Sequence, residues 1–128
     1  QHPSYKTFDS SAGFLLPNQA IRSPDASVVA GSDWDALPSE QQKSFAPLTP
    51  LFLVELRSSE NDSLSELQEK MREYQSVGVP LGWLIDPVTE QVHVYGAEEG
   101  AVEILDKPAH LSAARILPGF ELDLTRIW

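Results

Sequence analysis

The sequence predicts an α/β domain, a mixed β-sheet with one long helix crossing between two of its central strands. Three observations predict it. Leu51–Arg57 and Leu81–Asp86 are short, nearly continuous apolar runs, as expected of strands covered on both faces. Between them, Leu64, Leu67, Met71 and Tyr74 recur at three- and four-residue spacing, which gives one apolar stripe along a helix. After them, Gln91–Tyr95 and Ala101–Leu105 flank Glu98-Glu99-Gly100 and read as a hairpin.

The 128 residues fit a single domain over 1–128, and 41% of them are hydrophobic, enough to bury a core without staples. Residues 1–12 are polar and are expected to be flexible. Gly13–Leu16 is a short apolar run closed by the turn pair Pro17-Asn18. Ala26–Ala30 reads as a strand entered through Pro24. Residues 31–50 read as a loop with one helical turn near Ser39–Lys43, because Pro38, Pro47 and Pro50 bar a long helix.

In the strand Leu51–Arg57, the two-residue period puts Leu51, Leu53, Glu55 and Arg57 on one face and Phe52, Val54 and Leu56 on the other. Ser63 and Glu66 form a capping box that starts the helix over 64–77, and Gly78 stops it. A strand–helix–strand unit of this length implies a right-handed crossover between parallel strands. The hairpin then makes the sheet mixed. Phe120–Leu124 reads as a last edge strand.

There is no cysteine, so disulfides, thiolate metal sites and a cysteine nucleophile are excluded. No apolar run approaches the roughly 18 residues of a membrane span, and no signal peptide is evident; a cytoplasmic protein is expected. No glycine-rich phosphate loop and no nucleophile elbow is present. Nineteen acidic against nine basic residues give a net charge of −10. That balance argues against indiscriminate nucleic-acid binding, which needs clustered Lys and Arg.

Glu55 and Arg57 stand out at the end of an apolar strand. A carboxylate on the buried side of a sheet is costly unless it meets a cation or a metal. Charge pattern alone leaves open a structural Glu55–Arg57 pair or a bond from Glu55 to a helix N-terminus. Asp25 follows a proline and is either a turn residue or a ligand. Lys70 borders the helix stripe and either snorkels to solvent or faces a site. Together these residue types suit phosphodiester hydrolysis. Two carboxylates from neighbouring strands can hold one hard divalent cation, and a nearby Lys or Arg can orient water or steady developing charge. His93 reads as an ordinary strand residue, and neither His2 nor His110 has a partner at metal-ligand spacing.

The ordered set Ile21-Arg22-Ser23-Pro24-Asp25 with Val28-Val29, Leu53-Val54-Glu55-Leu56-Arg57-Ser58, Lys70 with Tyr74, Gly78-Val79, Trp83-Leu84-Ile85-Asp86-Pro87 and Pro118-Gly119-Phe120 resembles the Uma-two branch of the PD-(D/E)XK nuclease superfamily. The resemblance spans residues 8 to 128. It implies a restriction-endonuclease-like α/β/α core and a metal-dependent endonuclease that takes Mg²⁺ or Mn²⁺. It further implies a nucleic-acid substrate, DNA before RNA, and a homodimer. Asp25 and Glu55 would be metal ligands, joined by the Leu56 carbonyl; Arg57 and Lys70 would complete the catalytic set. Two departures are evident. The superfamily's motif lysine is Arg57 here, and arginine is no general base near neutral pH, so Lys70 would replace it from the helix. The N-terminal helical region usual in relatives is expected to be missing. Both departures, with the acidic charge, also fit a catalytically silent interaction or dimerisation module.

Overall fold

The structure, a computed structural model, describes residues 4–128. Its elements run β1 (Tyr5–Asp9), β2 (Phe14–Leu15), β3 (Ile21–Arg22), β4 (Ala26–Ala30), α1 (Gly31–Asp35), α2 (Ser39–Gln42), β5 (Phe52–Leu56), α3 (Leu64–Ser76), β6 (Leu81–Asp86), β7 (Gln91–Tyr95), β8 (Val102–Asp106), β9 (His110–Ser112) and β10 (Glu121–Asp123). Six strands form the main sheet in the order β1-β4-β5-β6-β7-β8. Only β5 and β6 pair in parallel, and α3 connects them; the other neighbours are antiparallel. The mixed sheet and crossover helix therefore stand as the sequence predicts.

The period-two reading of β5 also stands. Leu53 joins a core with Met71, Tyr74, Leu84 and Tyr95 on the α3 side. Phe52 joins a second core with Trp83, Val92, Leu111 and Leu124 on the opposite side, where the β9–β10 ribbon covers the sheet. Phe52 and Trp83 meet edge to face, ring centroids 4.7 Å apart.

Helix α3 begins where Ser63 accepts a hydrogen bond from the Glu66 amide, and it ends at Gly78, whose φ of +102° suits glycine. Met71 and Tyr74 are fully buried, while Leu64 and Leu67 lie at the margin of the core. The helix sits close to the sheet because Gly82 has no side chain: a Cβ there would come within 2.8 Å of the Met71 methyl. Two polar clamps fix it laterally. Buried Gln75 donates to the carbonyls of Gly96 and Ala101 and accepts from the Gly100 amide, tying α3 to the β7–β8 hairpin. Glu73 accepts from Arg22 at 2.6 Å and Asn18 at 3.1 Å, tying α3 to the β2–β3 hairpin.

Three segments differ from the sequence reading. Tyr5–Asp9, inside the stretch expected to be flexible, forms β1 against β4; residues 1–3 lie outside the described residues. Gly31–Asp35 is a helix, where only the later turn was expected. Its Trp34 packs edge-on against Phe8 at 5.0 Å, a tertiary contact that no local periodicity announces. The last strand pairs with β9 in a separate ribbon rather than at the edge of the main sheet, because Leu111, Ala113, Leu117 and Leu124 bury against the Trp83 face.

Candidate active site

Asp25 stands just before β4, held there by buried Pro24. The β4–β5 register sets Ala26 opposite Val54, so Asp25 comes opposite Glu55, one step beyond the last paired residues. The Asp25 side chain continues the ladder in place of backbone: its Oδ2 accepts the Leu56 amide at 2.7 Å. This bond fixes the carboxylate over the end of β5, on the exposed side of the junction.

Glu55 is 3% exposed, in line with Leu53 on the α3 face. Two residues of α3, one turn apart, converge on a single oxygen of it. The Tyr74 hydroxyl donates to Oε2 at 2.8 Å, and Lys70 Nζ lies 3.6 Å from the same atom. Burial raises the Glu55 pKa above the usual carboxylate value; the Tyr74 hydrogen bond and Lys70 oppose the rise, and the nearby Asp25 charge adds to it. Burial and the Glu55 charge push Tyr74 strongly up, so its hydroxyl stays a donor. The Lys70 side chain is 36% exposed. It bridges Glu55 to a cleft of about 580 Å³ that runs between β3 and α3, bordered by Arg22, Ser23, Glu66, Glu69 and Glu73.

Arg57 is directed elsewhere. Its Nη1 lies 3.2 Å from Oδ2 of Asp86, and its Nε donates to the Asp62 carbonyl at 3.0 Å. It thus ties the end of β5 to the end of β6 and to the loop before α3. The structure therefore brings Asp25, Glu55 and Lys70 together and turns the Arg57 guanidinium towards Asp86. The ion pair that Glu55 makes is with Lys70, not Arg57.

The sequence matches the Uma2 family, described as "Putative restriction endonuclease", over residues 1–125. The chain belongs to the Uma2 family. The fold of this Uma2 protein is similar to a crystal structure of a "putative nuclease belonging to DUF820" from Anabaena variabilis. The TM-score is 0.75 at 18% identity, with 98% of this chain and 68% of that one covered. No curated protein matches the sequence. Among the described residues, no helix is long and apolar enough to cross a membrane.

Among the described residues of the Uma2 protein, no three His, Cys, Asp or Glu side chains are grouped to hold a metal. The site offers two carboxylates, those of Asp25 and Glu55, at opposed positions where β4 begins and β5 ends. That set suits Mg²⁺ chemistry, in which one or two carboxylates commonly suffice beside water and substrate phosphates. His93 is buried with Nε2 unpaired among the described residues. Burial lowers its pKa, with Asp86 opposing. His110 is exposed on β9, and His2 lies outside the described residues.

Two residues around the candidate site were given no role in it by the sequence reading. Tyr74 counts there as a core member of the helix stripe and as a companion of Lys70 in the family resemblance, with no contact to Glu55 assigned; its spacing of four from Lys70 was the available signal. Asp86 counts as a strand end and as part of the Trp83–Pro87 motif, with no partner assigned. In the fold it is a buried hub that accepts from the Val88 and Thr89 amides, the Thr89 hydroxyl and Arg57. Burial alone would raise its pKa, but the Thr89 hydroxyl and Arg57 outweigh that and hold its carboxyl low. The Asp-Pro-x-Thr order carried the signal for that turn.

Proposed function

We propose that this domain is a metal-dependent endonuclease that hydrolyses phosphodiester bonds. The carrying observation is the convergence of Asp25, Glu55 and Lys70 at one end of the β4–β5 pair. Asp25 and Glu55 would hold Mg²⁺ or Mn²⁺, with the Leu56 carbonyl beside them. When bound, the ion supplies Lewis-acid activation of the phosphodiester and of water. Lys70 lies beside the Glu55 carboxylate and borders the cleft, where an ammonium can orient water or offset developing charge on phosphate. Arg57 acts at a distance, by holding the ends of β5 and β6 together. A cytoplasmic homodimer acting on DNA rather than RNA completes the proposal, in keeping with the cysteine-free composition and the family resemblance.

The second reading, a catalytically silent interaction module, is favoured by the net charge of −10 and by Arg57 being spent on Asp86. Plasmid nicking at low salt and high protein concentration separates the two, because an acidic protein binds phosphate weakly and salt weakens it further. The nuclease reading expects Mg²⁺- or Mn²⁺-dependent nicking that is absent in Glu55→Gln. Nicking equal in both proteins, or none in the wild type, favours the silent module.

A further inference from the structure

We infer that Tyr74 is a positioning residue for Glu55, holding Oε2 so that Oε1 is the oxygen left to meet a divalent cation. The inference rests on the metal-site reading above and adds to it a named role for a helix residue. Three features of the geometry carry it.

The first is the division of the carboxylate. Both side-chain contacts to Glu55, from the Tyr74 hydroxyl at 2.8 Å and from Lys70 at 3.6 Å, fall on Oε2. Among the described residues, no hydrogen bond falls on Oε1. A carboxylate gripped at one oxygen by a rigid donor loses its freedom to rotate and presents the other oxygen in a fixed direction. The second is the rigidity of the donor. Tyr74 is 1% exposed and belongs to the core with Leu53, Met71 and Leu84, so the ring cannot follow a wandering carboxylate. The third is its anchorage. Glu73 and Gln75, the residues on either side, clamp α3 to the β2–β3 and β7–β8 hairpins, which fixes the height of the hydroxyl over the sheet. Partners outside the ligand shell that orient a ligating group set metal affinity, and their loss commonly costs about 10–100-fold.

The test is Mn²⁺ affinity, read from the loss of the free-ion electron paramagnetic resonance signal on titration into purified protein. Wild type, Tyr74→Phe, Met71→Ala and Glu55→Gln are compared. Phe keeps the ring and its packing and removes only the hydroxyl. The expected result is binding by the wild type, binding about 10–100-fold weaker in Tyr74→Phe, near wild-type affinity in Met71→Ala, and none in Glu55→Gln. Met71→Ala loosens the same helix without touching the carboxylate, so it separates positioning from general softening. Equal affinity in wild type and Tyr74→Phe, or equal weakening in Tyr74→Phe and Met71→Ala, overturns the role of Tyr74 and leaves the metal site standing. Absence of binding by the wild type overturns both. Should Tyr74→Phe not fold, a Mn²⁺-bound crystal of the wild type decides. Coordination through Oε1 with the Tyr74 bond retained supports the inference, and coordination through Oε2 with that bond broken overturns it.

Discussion

Arg57 stands at the motif-lysine position but spends its charge on Asp86: the guanidinium lies 3.2 Å from a carboxylate whose side chain is fully buried. Removing one member of a buried pair leaves the other uncompensated, a loss of about 3–5 kcal/mol. Asp86 keeps its bonds from Val88 and Thr89, so Arg57→Ala should fall at the low end, about 3 kcal/mol by urea denaturation. The pair also sets acid sensitivity. The Asp86 pKa is depressed below its ordinary 3.8 in the fold, so the unfolded chain binds its proton more readily. Its stabilisation is present above the ordinary value and disappears as pH falls through the folded one. The deficit of Arg57→Ala relative to wild type should therefore narrow in strong acid; a constant deficit down to the acid limit contradicts the pairing.

Glu55 has the opposite sign. Its pKa is raised from 4.5, chiefly by burial, so the folded chain holds the proton more tightly than the unfolded one. Stability from this group is fully present below 4.5 and is lost as pH rises through the raised folded value. Glu55→Gln should melt at a higher temperature than wild type at pH 8 without divalent ions, and the gap should close on acidification. Adding Mn²⁺ should raise the wild-type melting temperature and leave that of Glu55→Gln unchanged. A Glu55→Gln protein less stable than wild type at pH 8 without metal would show that the buried charge is fully compensated.

Lys70 offers the clearest separation of binding from turnover. Lys70→Ala should keep the fold, since the residue is partly exposed and lies outside the buried stripe. It should still bind Mn²⁺ and lose divalent-dependent nicking by roughly 10²-fold or more. Nicking at the wild-type rate would remove Lys70 from the chemistry.

The helix face can be checked by truncation. Met71 is fully buried over Gly82, so Met71→Ala should cost about 2–5 kcal/mol. Leu67 lies at the margin of the same core, and Leu67→Ala should cost less. The reverse order in urea midpoints would mean that α3 is rotated on the sheet.

The parts of the fold that were legible are those whose signal is local. The apolar runs of β5 and β6, the stripe and cap of α3 and the β7–β8 hairpin all follow from side-chain period and turn chemistry. The Asp25–Glu55 pairing was legible only through the family resemblance, because nothing in either segment alone sets the β4–β5 register. What stayed hidden depends on distant partners. β1 has only Tyr5 and Phe8 as large apolar residues, α1 is held by Trp34 on Phe8, and β9 with β10 is placed by the face of Trp83. The side-chain assignments were hidden for the same reason. Period two puts Arg57 on the face of Glu55, but the position of Asp86 decides where the guanidinium goes, and the height of α3 decides that Tyr74 reaches Oε2.

The central claim, that Asp25 and Glu55 form one divalent-cation site, is tested most directly by anomalous scattering from a crystal soaked in Mn²⁺. The account predicts a single strong peak between the two carboxylates, with an oxygen of each about 2.0–2.6 Å from the ion, and loss of that peak in Glu55→Gln. A crystal with no peak there, or with the ion bound only at Glu66, Glu69 and Glu73 along the cleft, would contradict it.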